Sequence, residues 1–241
     1  MRYFSTPKLQ LSLILITIIL LKLFVDFSTA LLIYFLTVIS LTVLVDFLFV
    51  WARKIKPFLF SAAIVTGSII ALLNQPKTSF FGVFMIIVLA ISSKHFLKFK
   101  GRHIFNPAAF GLFFGSLIFK IPVAWWGISS GTWWMLILLL STSYVSIFRS
   151  RKIYTILAFF IIYNAVTYLL TGFINPLDPV LIFFAFVMLP EPMTSPNKPI
   201  LQIYFGGITA FLTIFLSNVT IVSEVLLGSL LMSNLLFFNK K

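Results

Sequence analysis

The chain has 241 residues, 61% of them hydrophobic and 10% charged, with a formal net charge of +13 and a mean hydropathy of +1.12. Soluble domains carry about 25% charged residues because a water-facing surface needs them, so this composition excludes a soluble enzyme and points to a single all-α membrane domain. The absence of cysteine also excludes disulfides and thiolate-held zinc or iron–sulfur clusters.

A helix that crosses a bilayer takes roughly 20 apolar residues, fewer where the membrane thins or neighbouring helices help. In chain order the polar breaks delimit ten apolar segments, at 9–28, 30–51, 58–74, 79–93, 107–119, 133–148, 153–172, 179–190, 200–216 and 222–238. The first is long for a secretory h-region and lacks a small-residue cleavage site, so it reads as a span and not a signal peptide. The breaks at Asn74-Gln75-Pro76-Lys77, Asn175 to Pro179 and Pro190 to Pro199 contain proline, whose fixed φ and missing N–H end helices.

Alternating the spans from a cytoplasmic N-terminus puts fifteen of the eighteen basic residues on the inner side, leaving Lys77 and Lys120 outside and Lys22 within the first span. That asymmetry is the positive-inside signature. It predicts a multi-pass protein of the bacterial cytoplasmic (inner) membrane with both termini cytoplasmic. The positive charge is therefore a topology signal, and no nucleic-acid partner is expected, since that would need a soluble basic face. Trp125, Trp126, Trp133 and Trp134 after the fifth span read as an interfacial aromatic belt.

Charges inside apolar segments each need a reason. Lys22 and Asp26 are four apart, on one helix face, and are expected to pair. Asp46 lies about a turn and a half from the inner end of the second span and is read either as a structural partner or as part of an ion or proton path. Glu224, at the start of the last span, suits a helix dipole. No series of carboxylates spans the membrane, so this chain is not expected to pump ions alone.

Two inner loops depart from the plain pattern. The first runs from Lys94 to Gly111 and contains Lys98, Lys100, Arg102 and the stretch Ile104-Phe105-Asn106-Pro107-Ala108-Ala109-Phe110-Gly111-Leu112; the second is Pro190-Glu191-Pro192-Met193-Thr194-Ser195-Pro196. Both are flanked by unusually short apolar segments, the best sequence pointer to a membrane binding site. Asn106 followed by Pro107 predicts a helix start, with Asn as N-cap and Pro at the first helical position. Such a terminus favours an anionic ligand, and Lys98, Lys100 and Arg102 lie just upstream. Thr194 and Ser195 offer hydroxyls and Glu191 an acceptor. The plain alternatives are a basic anchor and a rigid turn. His95 and His103 read as polar loop residues, not metal ligands. Ala71 to Pro76 and Gly172 to Pro176 rhyme at an offset of about a hundred residues, a weak sign of internal duplication with halves at 1–119 and 133–241. No G-x-S-x-G, P-loop or H-E-x-x-H motif is present.

The two loop motifs, in this order and spacing, resemble the signature stretches of the RnfD/NqrB family over about residues 58–238. Its members are membrane subunits of the Rnf electron-transport complexes and of the sodium-translocating NADH:quinone reductases. The resemblance implies a compact member of that family. Its fold would be a urea-transporter-like bundle of ten transmembrane helices in two pseudo-repeated five-helix halves. Its function would be that of a membrane subunit passing electrons across or along the bilayer, with coupling to Na+ or H+ movement. The implied cofactor is a flavin (FMN or riboflavin), held non-covalently, with no metal of its own. The implied partners are redox subunits, cytoplasmic or in the membrane, that carry flavin or iron–sulfur clusters. The candidate flavin contacts are Lys98, Arg102, Phe105, Asn106, Pro107, Glu191, Thr194 and Ser195. Where the family carries a flavinylated threonine in S-G-A-T, this chain has Ser129-Ser130-Gly131-Thr132-Trp133, which lacks the alanine. The competing readings are a small-solute channel or transporter of the same fold, and a redox-inactive anchor for a reductase.

Overall fold

The computed structural model describes residues 7–54, 60–129, 150–218 and 224–240. Among them are nine helices: α1 (Pro7–Val25), α2 (Thr29–Ala52), α3 (Phe60–Leu73), α4 (Phe80–Phe96), α5 (Pro107–Phe119), α6 (Ile153–Thr171), α7 (Pro179–Phe183), α8 (Pro199–Ser217) and α9 (Val225–Phe237). A two-residue hairpin, β1 (Lys98–Phe99) and β2 (Arg102–His103), joins α4 to α5. Each expected apolar segment within the described residues is a helix; the segment 133–148, with Trp133, Trp134 and Thr132 beside it, lies outside them.

Local chemistry sets the boundaries. Ser28, Ser79, Asn106 and Asp178 each occupy the N-cap and accept a backbone N–H from the first turn, satisfying donors that a helix start otherwise leaves orphaned. Pro107, Pro179 and Pro199 stand in the first turn, where their missing N–H costs nothing. Helix α7 ends in a π-helical turn, Phe184–Met188, closed by the Leu189 N–H on the Phe184 carbonyl at 2.9 Å.

Four helices, α1, α2, α6 and α8, are long and apolar enough to cross a membrane; the others, α7 counted with its π-helical turn, run to 10–17 residues. The helices are apolar all round, as lipid-embedded helices are. Leu20, Phe24, Ile161, Leu169 and Phe211 point away from the bundle, Leu169 81% exposed. In water such a surface would drive aggregation; in lipid it is the natural exterior. The chain is an all-α membrane protein.

Packing depends on close backbone approach. Helix α5 lies on α4 through Gly111 and Gly115, and a Cβ built at Gly111 would sit 2.4 Å from the Ile86 carbonyl oxygen. Helix α8 lies on α6 through Gly206, where a Cβ would meet the Thr155 carbonyl at 2.2 Å. Small residues let helices interlock in lipid, where no hydrophobic force presses them together. Helices α8 and α9 are joined by paired hydroxyls, Thr209 with Ser233 at 2.9 Å and Thr213 with Ser229 at 2.8 Å.

The segment after α5 folds back over the C-terminal end of α3. Ala124 and Trp125 donate backbone N–H bonds to the Leu73 carbonyl, Gly127 to that of Leu72, and Trp126 Nε1 to that of Ala71. These bonds satisfy carbonyls that a helix end would orphan. Trp125 and Trp126 are thus tied to α3, beyond the plain anchoring expected of them. Lys22 and Asp26 pair as expected, at 2.6 Å, with the Lys22 ammonium 5.4 Å from the Trp126 ring. Glu224 caps the start of α9 by position without a side-chain bond to its first turn. The rhyming stretches part company in the fold: Asn74 bridges to Val123, whereas Gly172 closes α6 in a left-handed conformation, φ 70°.

Candidate functional site

At one end of the bundle lies a cavity of about 60 Å³, room for a few water-sized groups. Its wall comes from the start of α1 (Lys8), from α3 (Thr66), from the end of α4 (Lys94), from His103, Asn106 and Pro107, and from Pro190, Glu191 and Pro192. The two loops singled out by sequence, some eighty residues apart, are therefore walls of one space.

The start of α5 is fixed to the end of α7. Asn106 is buried; its Oδ1 accepts the Ala109 N–H at 3.1 Å and its Nδ2 donates to the Met188 carbonyl at 3.4 Å. Met188 closes the π-helical turn, a feature common at functional sites because it re-aims backbone groups. Across the cavity, the second loop is wound on itself. Ser195 Oγ donates to the Glu191 carbonyl at 2.8 Å and Thr194 Oγ1 to the Glu191 carboxylate at 3.2 Å. The Thr194 and Ser195 side chains are buried in this turn; they shape the loop that presents Glu191.

The remaining candidates stand apart from the cavity lining. Lys98 is exposed and Arg102 half-buried on the hairpin. Phe105 packs on Phe110, centroids 5.4 Å apart. Asn106, Pro107 and Glu191 line the cavity, and the cations that join them are Lys8 and Lys94. Burial, reinforced by the like charges of Lys8, Lys94 and Lys98, holds the His103 imidazole down to about 3, so it is neutral across the physiological range.

Lys94 connects the cavity to a buried ion cluster. Its ammonium lies 2.5 Å from Asp46 Oδ2, and His95 Nε2 lies 2.8 Å from Asp46 Oδ1. Asp46 is 1% exposed. The His95 ring stacks on Phe49 at 5.3 Å, and Arg53 donates to the His95 carbonyl at 2.6 Å. Of the two readings of Asp46, the structural one thus has its partners on α4. Lys152 reads in sequence only as one of the inner-side cations. It sits at the N-cap of α6, a place where the helix dipole disfavours a cation, and that misfit was a signal that it is held by something else. Its ammonium, 1% exposed, donates to the carbonyls of Ser195 (3.2 Å) and Pro196 (2.6 Å) and to Asn197 Oδ1 (2.9 Å).

Fold and site together define an all-α membrane protein with a largely apolar cavity at its basic end, into which a few charged and polar groups reach. No protein-family model and no curated protein matches the chain.

Proposed function

We propose that the chain is the membrane subunit of a flavin-dependent electron-transfer system, a compact relative of the RnfD/NqrB family. One observation carries this reading: the two motifs that produce the resemblance form facing walls of a single cavity, around Asn106 and Pro107 on one side and Pro190, Glu191 and Pro192 on the other. The donor set suits the polar edge of a flavin. Lys8 and Lys94 donate, Glu191 accepts, and neutral His103 does not add charge. A non-covalently bound flavin would supply the redox chemistry, FMN or riboflavin alike, and the chain would supply position and electrostatics. Space is the constraint. About 60 Å³ is well below the ~300 Å³ at which sites for such ligands begin, so binding requires the 190–198 loop to draw back.

Ten crossings in two pseudo-repeated halves, as in urea transporters, complete the proposal. In its support, residues 124–127 bond to one end of α3 while Ser150 lines the cavity at the other. With the basic end inward, the cavity faces the cytoplasm of a bacterial inner membrane. It is then within reach of partner subunits carrying flavin or iron–sulfur clusters, and electron transfer would be coupled to Na+ or H+ movement. Thr132 as a covalent flavin site matches the family pattern only in part and lies outside the described residues.

The test is the absorbance and fluorescence of detergent-purified protein reconstituted with riboflavin or FMN, before and after acid precipitation. Flavin released on precipitation, and lost in Glu191→Gln, is the expected result. Flavin retained in the pellet would move the attachment to Thr132, and colourless protein would sink the cofactor. A second reading, passage of a small polar solute, is favoured by the narrowness of the cavity. It predicts colourless protein with solute flux in proteoliposomes.

A further inference from the structure

A second, larger cavity lies at the other end of α6. Its volume is about 320 Å³, inside the ~300–1,000 Å³ range of small-molecule sites. Ser150, just before α6, belongs to the 60 Å³ cavity, whereas Tyr163, Asn164, Thr167 and Thr171 line the larger one from the second half of that helix. The 175–181 segment, the last turns of α8 and the start of α9 complete the wall. None of the sequence-predicted site residues lines it.

The hydrogens of its polar side chains are mostly committed to the protein itself. The hydroxyls of Thr171, Thr213 and Ser217 donate to the carbonyls of Thr167 (2.8 Å), Thr209 (2.8 Å) and Ile214 (2.7 Å). Asn164 Nδ2 donates to the Phe160 carbonyl at 2.8 Å, which leaves Oδ1 as the other branch of its amide. Tyr163 and Thr167 share a hydrogen bond. A hydroxyl has one hydrogen and two lone pairs, so these groups have chiefly lone pairs left to offer a ligand. The exceptions are the remaining amide hydrogens of Asn164 and Asn175.

Charge points the same way. Asp178 is the one charged group among the described lining residues, and it belongs to none of their ion pairs. Residues 130–148 and 219–223 contain no charged residue. Asp178 Oδ1 accepts the backbone N–H groups of Val180 (2.8 Å) and Leu181 (3.4 Å), which leaves Oδ2 to receive a ligand. Val180, Leu181, Val225 and Leu226 supply an apolar side. The Tyr163 ring, stacked on Phe159 at 5.6 Å, adds a surface that cations favour.

We infer that this cavity binds a small organic monocation: a primary ammonium carried on a few apolar carbons. An ammonium has three donors and no acceptor, so it pairs with a wall of lone pairs and brings no lone pair against them. A sugar brings acceptors with every donor, and an acceptor buried against these oxygens goes unpaired at a cost in affinity. An anion meets Asp178, as does the phosphate of a zwitterionic lipid headgroup. A bare metal ion would find a single carboxylate and leave most of the space unfilled. The site stands apart from the flavin reading, at the opposite end of the molecule.

The test is binding of n-butylammonium chloride to the full chain, purified without flavin in an uncharged detergent. Saturation-transfer NMR on the ligand and the rise in thermal midpoint read it, at an ionic strength held constant with NaCl. We expect saturable binding of n-butylammonium, none of n-butanol or butyrate, and a loss of about tenfold or more in Asp178→Asn. Asparagine caps a helix as well as aspartate does, so this variant keeps the start of α7 and removes only the charge. Comparison of the two chains also cancels partition of the amine into micelles. Absence of n-butylammonium binding, equal binding of n-butanol, preference for butyrate, or undiminished binding in Asp178→Asn would overturn the proposal. If Asp178→Asn does not fold, the order of the three ligands on the parent chain decides. Because no flavin is present, failure of the flavin reading leaves the result interpretable.

Discussion

Asp46, Lys94 and His95 show how a buried charge is kept in a membrane helix. Asp46 stands on α2, its partners a helix away on α4, at 2.5 and 2.8 Å. Removing one partner of such a cluster strands the others in a low-dielectric site, which costs about 3–5 kcal/mol. Asp46→Asn should therefore lower the thermal midpoint of detergent-solubilised protein sharply, read by tryptophan fluorescence. Adding Lys94→Met should recover part of the loss, because the stranded ammonium goes with it. If the carboxylate instead only carried ions, Asp46→Asn would leave the midpoint unchanged. Asn106 was legible at this scale: an Asn before Pro at a helix start caps, and it does. Lys152 was missed because a lysine beside Arg149 and Arg151 looks like one more positive-inside charge, and only its acceptors, more than forty residues later, distinguish it.

At the scale of elements, the interfaces are decided by glycines facing backbone. Gly206 faces the Thr155 carbonyl, which is fixed within α6, whereas a Cβ at Gly228 would meet a Phe113 ring carbon at 3.0 Å, and a ring edge can turn aside. Overpacking a fixed contact costs about 1–3 kcal/mol. Gly206→Ala should thus destabilise the protein by about 2 kcal/mol or more, and Gly228→Ala by less than half as much, in matched unfolding measurements. Equal losses would show that the α6–α8 contact is looser than the carbonyl distance implies. Helix positions themselves were largely readable, since apolar runs, caps and prolines mark them. The π-helical turn at Phe184–Met188 was not, because nothing local separates it from an ordinary last turn; it exists where the chain must present Met188 to Asn106.

For the whole molecule, the distribution of cations implies an orientation. The structure collects Lys8, Lys94, His103 and Glu191 at one cavity and puts Lys22 and Asp26 at the far end with Trp126. Single cysteines at Lys54 and Lys77 in the cysteine-free chain should react with an impermeant reagent from opposite sides, Lys54→Cys only after the cells are opened and Lys77→Cys in intact cells. The reverse pattern would invert the topology, and reaction of both from one side would break the alternation between α2 and α4.

Composition, proline breaks and basic loops were enough to indicate a helical membrane protein and to place the helices among the described residues, and they singled out the two loops that meet at the cavity. These properties follow from local rules: a run of apolar residues must leave water, and a proline must end a helix. Which side chains share a space was decided by the tertiary structure alone. Short helices α5 and α7 bring Asn106 and Glu191 to one cavity, turn Thr194 and Ser195 into the frame of a loop, and leave Lys98 and Arg102 on a hairpin outside it. Partners distant in sequence, such as Lys152 with Pro196 or Asp46 with Lys94, meet only through packing, and no periodicity along a single chain records them.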